Sequence, residues 1–289
     1  MSTALTGGIR QKIINWLMKQ EEPDKFLLSD FEKVQYEIRS CDVLLIEGRS
    51  RISEVIKIIT QSPWSHAALY IGRLHDIENP VLRERIQEFY NGPPNEQLVI
   101  ESILGRGTIV SPLSNYRQDH IRICRPVGIS RQDANQVIAF AISRLGTEYG
   151  IRQTLDLARF LFPWSILPKR WRSTLFQHSI GTPTKEICSS MLAEAFSSVK
   201  FPILPIMKIQ ADNEVKLFRR NPLLYTPSDF DYSPFFEIIK YPIFQLSAEP
   251  LYRSLPWSEE ILSADEESGK KKKIRGNNET NTNPEKVNS

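Results

Sequence analysis

The sequence predicts an α+β fold in which a small antiparallel sheet packs against helices. Short apolar runs of strand length recur between Cys41 and Val127, and helical periodicity takes over after Arg131. A further apolar helical pattern, EICSSMLAEAF, begins near Cys188.

The first pattern along the chain is helical. In residues 8–20, Ile9, Ile13, Trp16 and Leu17 recur on one side and basic residues fill much of the other. This suits an N-terminal helix packed on its own domain, or one lying on an anionic membrane surface. CDVLLIEG is then a nearly continuous apolar run, as in a buried strand, and RISEVIKIIT is an amphipathic helix with Ile52, Val55, Ile56 and Ile59 on one face. SPWS is a turn, and HAALYIG, LVIES, TIVSPL and IRICRPV follow as strands. The polar stretch 74–97 reads as a helical excursion and loop inserted into the sheet.

Ser130 is placed to cap a helix that closes on Gly146. TEYGIRQTLDLARFLF continues as a second helix, broken by Pro163 and Pro168. After Phe196, prolines at 202, 205, 222, 227, 234 and 242 suggest an extended wrap over the domain. From Ser258 the chain turns polar and reads as a disordered tail with a basic run, Lys270 to Lys273. The organisation expected is therefore an N-terminal helical segment (1–40), a domain with its wrap (41–257) and a basic tail (258–289).

With 289 residues and 40% hydrophobic content the chain can bury a substantial core. A net charge of +3 is too small to imply nucleic acid, and none is expected. Three cysteines do not form a disulfide framework, so a reducing compartment is the simpler reading. No run reaches membrane-spanning length, and the N-terminal residues lack a secretory apolar region. These features point to a cytoplasmic protein, with peripheral membrane contact as the variant reading. No zinc-spaced ligands and no phosphate-cradling glycine loop occur, so no metal or cofactor is expected.

Two residues carry the chemistry. Cys188 falls near the first turn of a helix for which Thr184 is a credible N-cap, where unpaired N–H groups and the helix dipole lower a thiol pKa. Taken alone, such a cysteine is more often a buried structural one. His66 follows the Pro-Trp-Ser turn at the head of an apolar strand, where a ring sits at a cleft mouth. Together they make a Cys–His pair of the kind that activates a thiolate. Glu101, at the end of LVIES, is the carboxylate placed to orient the imidazole. Asp42 and Tyr149 are second-tier candidates for supporting the site. His178 is a weak rival for the base, and His75 and His120 sit in ordinary polar contexts.

In order and content, CDVLLIEG, SPWSHAALYIG, LVIES, GTEYG and EICSSMLAEAF resemble the permuted papain-like amidases of the YaeF/YiiX type, a branch of the NlpC-like thiol hydrolases. The late stretch TPSDFDYSPFFEIIKY resembles a C-terminal feature of the same group. The resemblance implies a circularly permuted papain-like fold, which accounts for His66 preceding the cysteine. It implies Cys188 as nucleophile, His66 as base and Glu101 as the third member. One departure is Cys41-Asp42 where the family has Gly-Asp, read as drift in a turn rather than a second nucleophile.

The resulting expectation is a cysteine hydrolase acting on an amide- or acyl-containing substrate such as a peptide, a cell-wall fragment or a lipid. A membrane-associated acyltransferase or phospholipase using the same site is the second reading. A non-catalytic binding module on the same scaffold is the third.

Overall fold

Residues 14–20, 29–147, 189–209 and 214–242 are described by the computed structural model, and they fall within one compact unit, residues 1–243. The predicted strands all form: β1 (Val43–Glu47), β2 (His66–Arg73), β3 (Gln97–Ile103), β4 (Gly107–Pro112) and β5 (His120–Pro126). They pair antiparallel in one sheet ordered β4-β3-β2-β1-β5-β8, with β8 (Phe236–Ile239) as an added edge.

Both faces of this sheet are covered, which is why its strands read as continuous apolar runs rather than alternating ones. On one face Leu44, Ile46, Ala68, Tyr70, Val99 and Ile123 meet Phe31, Val34 and Ile38 of or beside helix α1 (Phe31–Glu37). This helix, from the predicted N-terminal segment, thus belongs to the core of the sheet domain. On the other face Val43, Leu45, Ala67, Leu69 and Ile100 meet α4 (Arg131–Ser143) and α5 (Ser189–Ser198). Between the strands lie α2 (Arg51–Thr60) and α3 (Pro80–Gln87), the latter being the predicted excursion.

Local capping explains the helix limits. Ser50 Oγ accepts from Ser53 N at 3.2 Å to start α2, and Ser130 Oγ accepts from Asp133 N at 3.0 Å to start α4. After α4 the chain turns through Gly146 at φ +80°, and Gly146 N donates to Thr108 O at 2.9 Å. In the N-terminal helical turn at 14–17, Ile14 and Leu17 are buried together, three residues apart. Trp16, expected on that side, instead lies half exposed with Arg51 stacked 4.5 Å from its ring centroid. Ile9 and Ile13 lie outside the described residues. Among the described residues no helix is long and apolar enough to cross a membrane.

The proline-rich segment differs from the expected wrap. It holds a two-stranded hairpin of β6 (Ile206–Ile209) and β7 (Val215–Phe218), a short helix α6 (Pro227–Tyr232), and the edge strand β8. Pro222 and Pro227 open helical turns, a position where a missing N–H costs nothing, so they start structure rather than prevent it. Phe236 of β8 is buried and meets the rings of Phe196, Phe201 and Phe230 edge-on at 5.3, 5.5 and 5.5 Å. The segment completes the core. Replacing Phe236 by Ala is expected to cost about 3–5 kcal/mol in urea unfolding. Met207→Ala in the exposed hairpin should stay within about 0.5 kcal/mol of wild type.

Candidate active site

His66 is aimed by the turn that precedes it. Ser65 N donates to Ile46 O at 3.2 Å, and Ser65 Oγ accepts from Gly48 N at 2.9 Å. A side chain at residue 48 would crowd that hydroxyl, since a Cβ there lies 2.9 Å from Ser65 Oγ. Trp64, two residues before His66, is almost wholly buried, and its indole N–H donates to Asp231 Oδ2 at 3.1 Å. Arg122 stacks on the same indole at 4.6 Å and donates from Nη1 to both Asp231 oxygens at 2.6 and 2.8 Å. The turn is thereby tied to β1, β5 and α6 at once.

Glu101 faces His66 because β3 pairs with β2 so that Glu101 lies opposite Ala68, two residues from His66 on the same side of the pleat. His66 Nε2 and Glu101 Oε2 are 2.6 Å apart, with Glu101 only 2% exposed. The Tyr116 hydroxyl also donates to Oε2, and the Ser111 hydroxyl bonds the same carboxyl. Burial pushes this carboxyl's pKa up. The hydrogen bond and charge of His66, with the Ser111 and Tyr116 hydroxyls, outweigh burial and hold it below its ordinary value. An ionised carboxylate only accepts, so Nε2 carries the hydrogen and Nδ1 is left as the ring's basic atom.

Asp42 lies elsewhere. It sits beyond the start of β1, while His66 pairs with Ile46 towards the other end of that strand. Its oxygens accept from Arg125 Nε at 3.0 Å, Arg125 Nη2 at 2.8 Å and Arg39 N at 2.8 Å. Burial pushes the Asp42 carboxyl up, with the Arg125 guanidinium pulling against it. Asp42 is a structural clamp on the turn that holds Cys41. Cys41 itself has φ +75°, the left-handed conformation that glycine adopts freely, which agrees with its reading as a replaced turn glycine. Burial pushes its thiol pKa up to about 12 and that of Cys124 up as well, so neither is a ready nucleophile.

Cys188, Tyr149 and His178 lie outside the described residues. Cys188 directly precedes the first described residue of α5, whose Ser189 and Ser190 are buried. His75 is exposed beside Asp76, as its context suggested. His120 is less ordinary than its sequence context: it opens β5, meets Glu47 at 3.2 Å, and lies 5.4 Å from the Trp64 ring. Tyr116, Ser111 and Asp231 were not expected from sequence. Ser111 shares the pleat side of Glu101, a signal that alternation could have exposed, whereas Tyr116 lies in a short 3-10 turn with no periodicity to flag it. Among the described residues, no group of three or more His, Cys, Asp or Glu could hold a metal ion.

The site is thus a buried carboxylate bonded to an imidazole at a strand start, in a six-stranded antiparallel sheet. Residues 37–159 match the permuted papain-like amidase enzymes, the YaeF/YiiX, C92 family. The matched region contains His66 and Glu101 and ends before Cys188. The crystal structure of metalloprotein yiiX from Escherichia coli O157:H7 aligns over 70% of this chain and 97% of its own, at 14% identity and a TM-score of 0.41. No curated protein matches the chain.

Because the folded-state pKa of Glu101 is depressed, its contribution to stability is present above its ordinary value and lost as pH falls through the folded one. Wild-type stability should therefore decline below about pH 4.5, and Glu101→Gln should flatten that decline in denaturant titrations across the acid range.

Proposed function

We propose that the protein is a cysteine hydrolase cleaving an amide or related acyl bond, with Cys188 as nucleophile, His66 as base and Glu101 as the orienting carboxylate. The observation that carries this reading is the 2.6 Å contact between His66 Nε2 and a buried carboxylate held ionised. That contact fixes the ring's tautomer and favours imidazolium, which is what a thiolate partner needs. The match of residues 37–159 to an amidase family supports the same chemistry.

The steps follow from these roles. The Cys188 thiol gives its proton to His66 Nδ1, and the sulfur attacks the substrate's carbonyl carbon. The carbon–nitrogen bond then breaks, and His66 returns the proton to the leaving amine, leaving an acyl-thioester. Water attacks the thioester, His66 takes and returns its proton, and the acid departs with the thiol restored. Helix-start N–H groups beside Cys188 would stabilise the oxyanion.

His66 stands on the sheet side covered by α1, and α5 packs on the other. For the proposed pair to act, the thiol has to meet the ring at the end of the sheet where β2 begins.

Cys188→Ala is expected to abolish hydrolysis of a chromogenic acyl amide or ester, and His66→Ala to lower kcat/KM by about 10²–10⁴-fold. Full activity in both variants sinks the assignment. Labelling with iodoacetamide at mildly acidic pH should modify Cys188 ahead of Cys41 and Cys124, more slowly in His66→Ala. Equal, slow labelling of all three cysteines would instead favour a non-catalytic binding module.

A further inference from the structure

The β6–β7 hairpin stands apart from the six-stranded sheet, and all eight of its strand residues are exposed. Its register pairs Met207 with Leu217 and Ile209 with Val215, so these four side chains share one face. That face is wholly aliphatic, and its members are between 58% and 74% exposed. Soluble proteins rarely leave such a patch uncovered, and a two-stranded ribbon is by itself marginal in water.

The opposite face names the occupant. There Lys208 lies directly across from Lys216, flanked by the pair Ile206 and Phe218. Like charges directly opposed on a strand pair repel, and neither lysine forms an ion pair with a carboxylate among the described residues. Lys208 rests 5.4 Å over the Phe218 ring. Arg219 follows, exposed, and Arg220 is engaged by Asp229 and the Tyr225 ring. Across residues 205–220 four cations stand against two acids, Asp212 and Glu214. Protein interfaces favour aromatic residues and arginine at their cores and are poor in lysine. An aliphatic face backed by lysines fits a lipid surface instead, where long cationic side chains extend from the apolar layer to the phosphates.

We propose that this hairpin is a membrane-docking element. The Met207, Ile209, Val215 and Leu217 face enters the interface of an anionic bilayer, and Lys208, Lys216 and Arg219 take the headgroup phosphates. A lipid phosphate between Lys208 and Lys216 relieves their mutual repulsion. The protein then works on or beside a membrane surface, which narrows the setting of its substrates without depending on the hydrolase reading.

Co-sedimentation of the full chain with phosphatidylcholine vesicles and with mixed phosphatidylcholine–phosphatidylserine vesicles tests this, read without any substrate. The expected result is binding to the mixed vesicles only, weakened by salt. Lys208→Glu with Lys216→Glu, and separately Met207→Asp with Leu217→Asp, should each weaken binding by about tenfold or more. Because these side chains are exposed, both variants should melt as wild type does, and the lysine pair tests the idea if the aspartate pair does not fold. A wild-type chain that stays in the supernatant overturns the proposal. So do variants that sediment like wild type, which would assign binding to another segment such as 8–20. Light scattering that shows a wild-type dimer split by the aspartate pair, with vesicle binding unchanged, overturns it in favour of a second copy on this face.

Discussion

Burial of the central strands on both faces is the constraint from which the rest of this molecule follows. β1 and β2 place side chains alternately under α1 and under α4 and α5, and nearly every one is apolar. Polar groups are thereby driven to the ends of the strands, where they must find partners or pay the desolvation cost of a buried charge. At one end the solution is Asp42 with Arg125. At the other it is Glu101 with His66, Tyr116 and Ser111.

The two ends solve the same problem differently. Asp42 meets a permanent cation and one further donor, the Arg39 N–H, an arrangement that closes a turn and has no proton to exchange. Glu101 meets a histidine, a side chain able to take up and release a proton, together with hydroxyls that keep the carboxylate charged. Only the second arrangement offers acid–base chemistry. The Trp64–Arg122–Asp231 assembly stands behind it, anchoring the turn that delivers His66 to a helix far along the chain.

The segment after α5 joins these themes. It supplies Asp231 to the His66 turn, Phe230 and Phe236 to the core, and an edge strand to the sheet. The same segment carries a ribbon that buries none of its strand residues, so core packing and an exposed hairpin sit within a few dozen residues.

Sequence by itself determined the strands β1 to β5, the helices α2 and α4 with their caps, and the choice of His66 and Glu101 as candidates. Each of those is written in local pattern: an apolar run, a helical period, a serine before a helix. The strand register that sets Glu101 against His66, the loss of Asp42 to Arg125, and the arrival of Tyr116, Ser111 and Asp231 came only with tertiary structure. A strand's register decides which side chains share a face, and register is set by contacts between residues far apart in the chain. Prolines hid α6 and β8 for a related reason. A proline reads as a breaker locally, and whether it opens a helix or interrupts a strand depends on what packs against it.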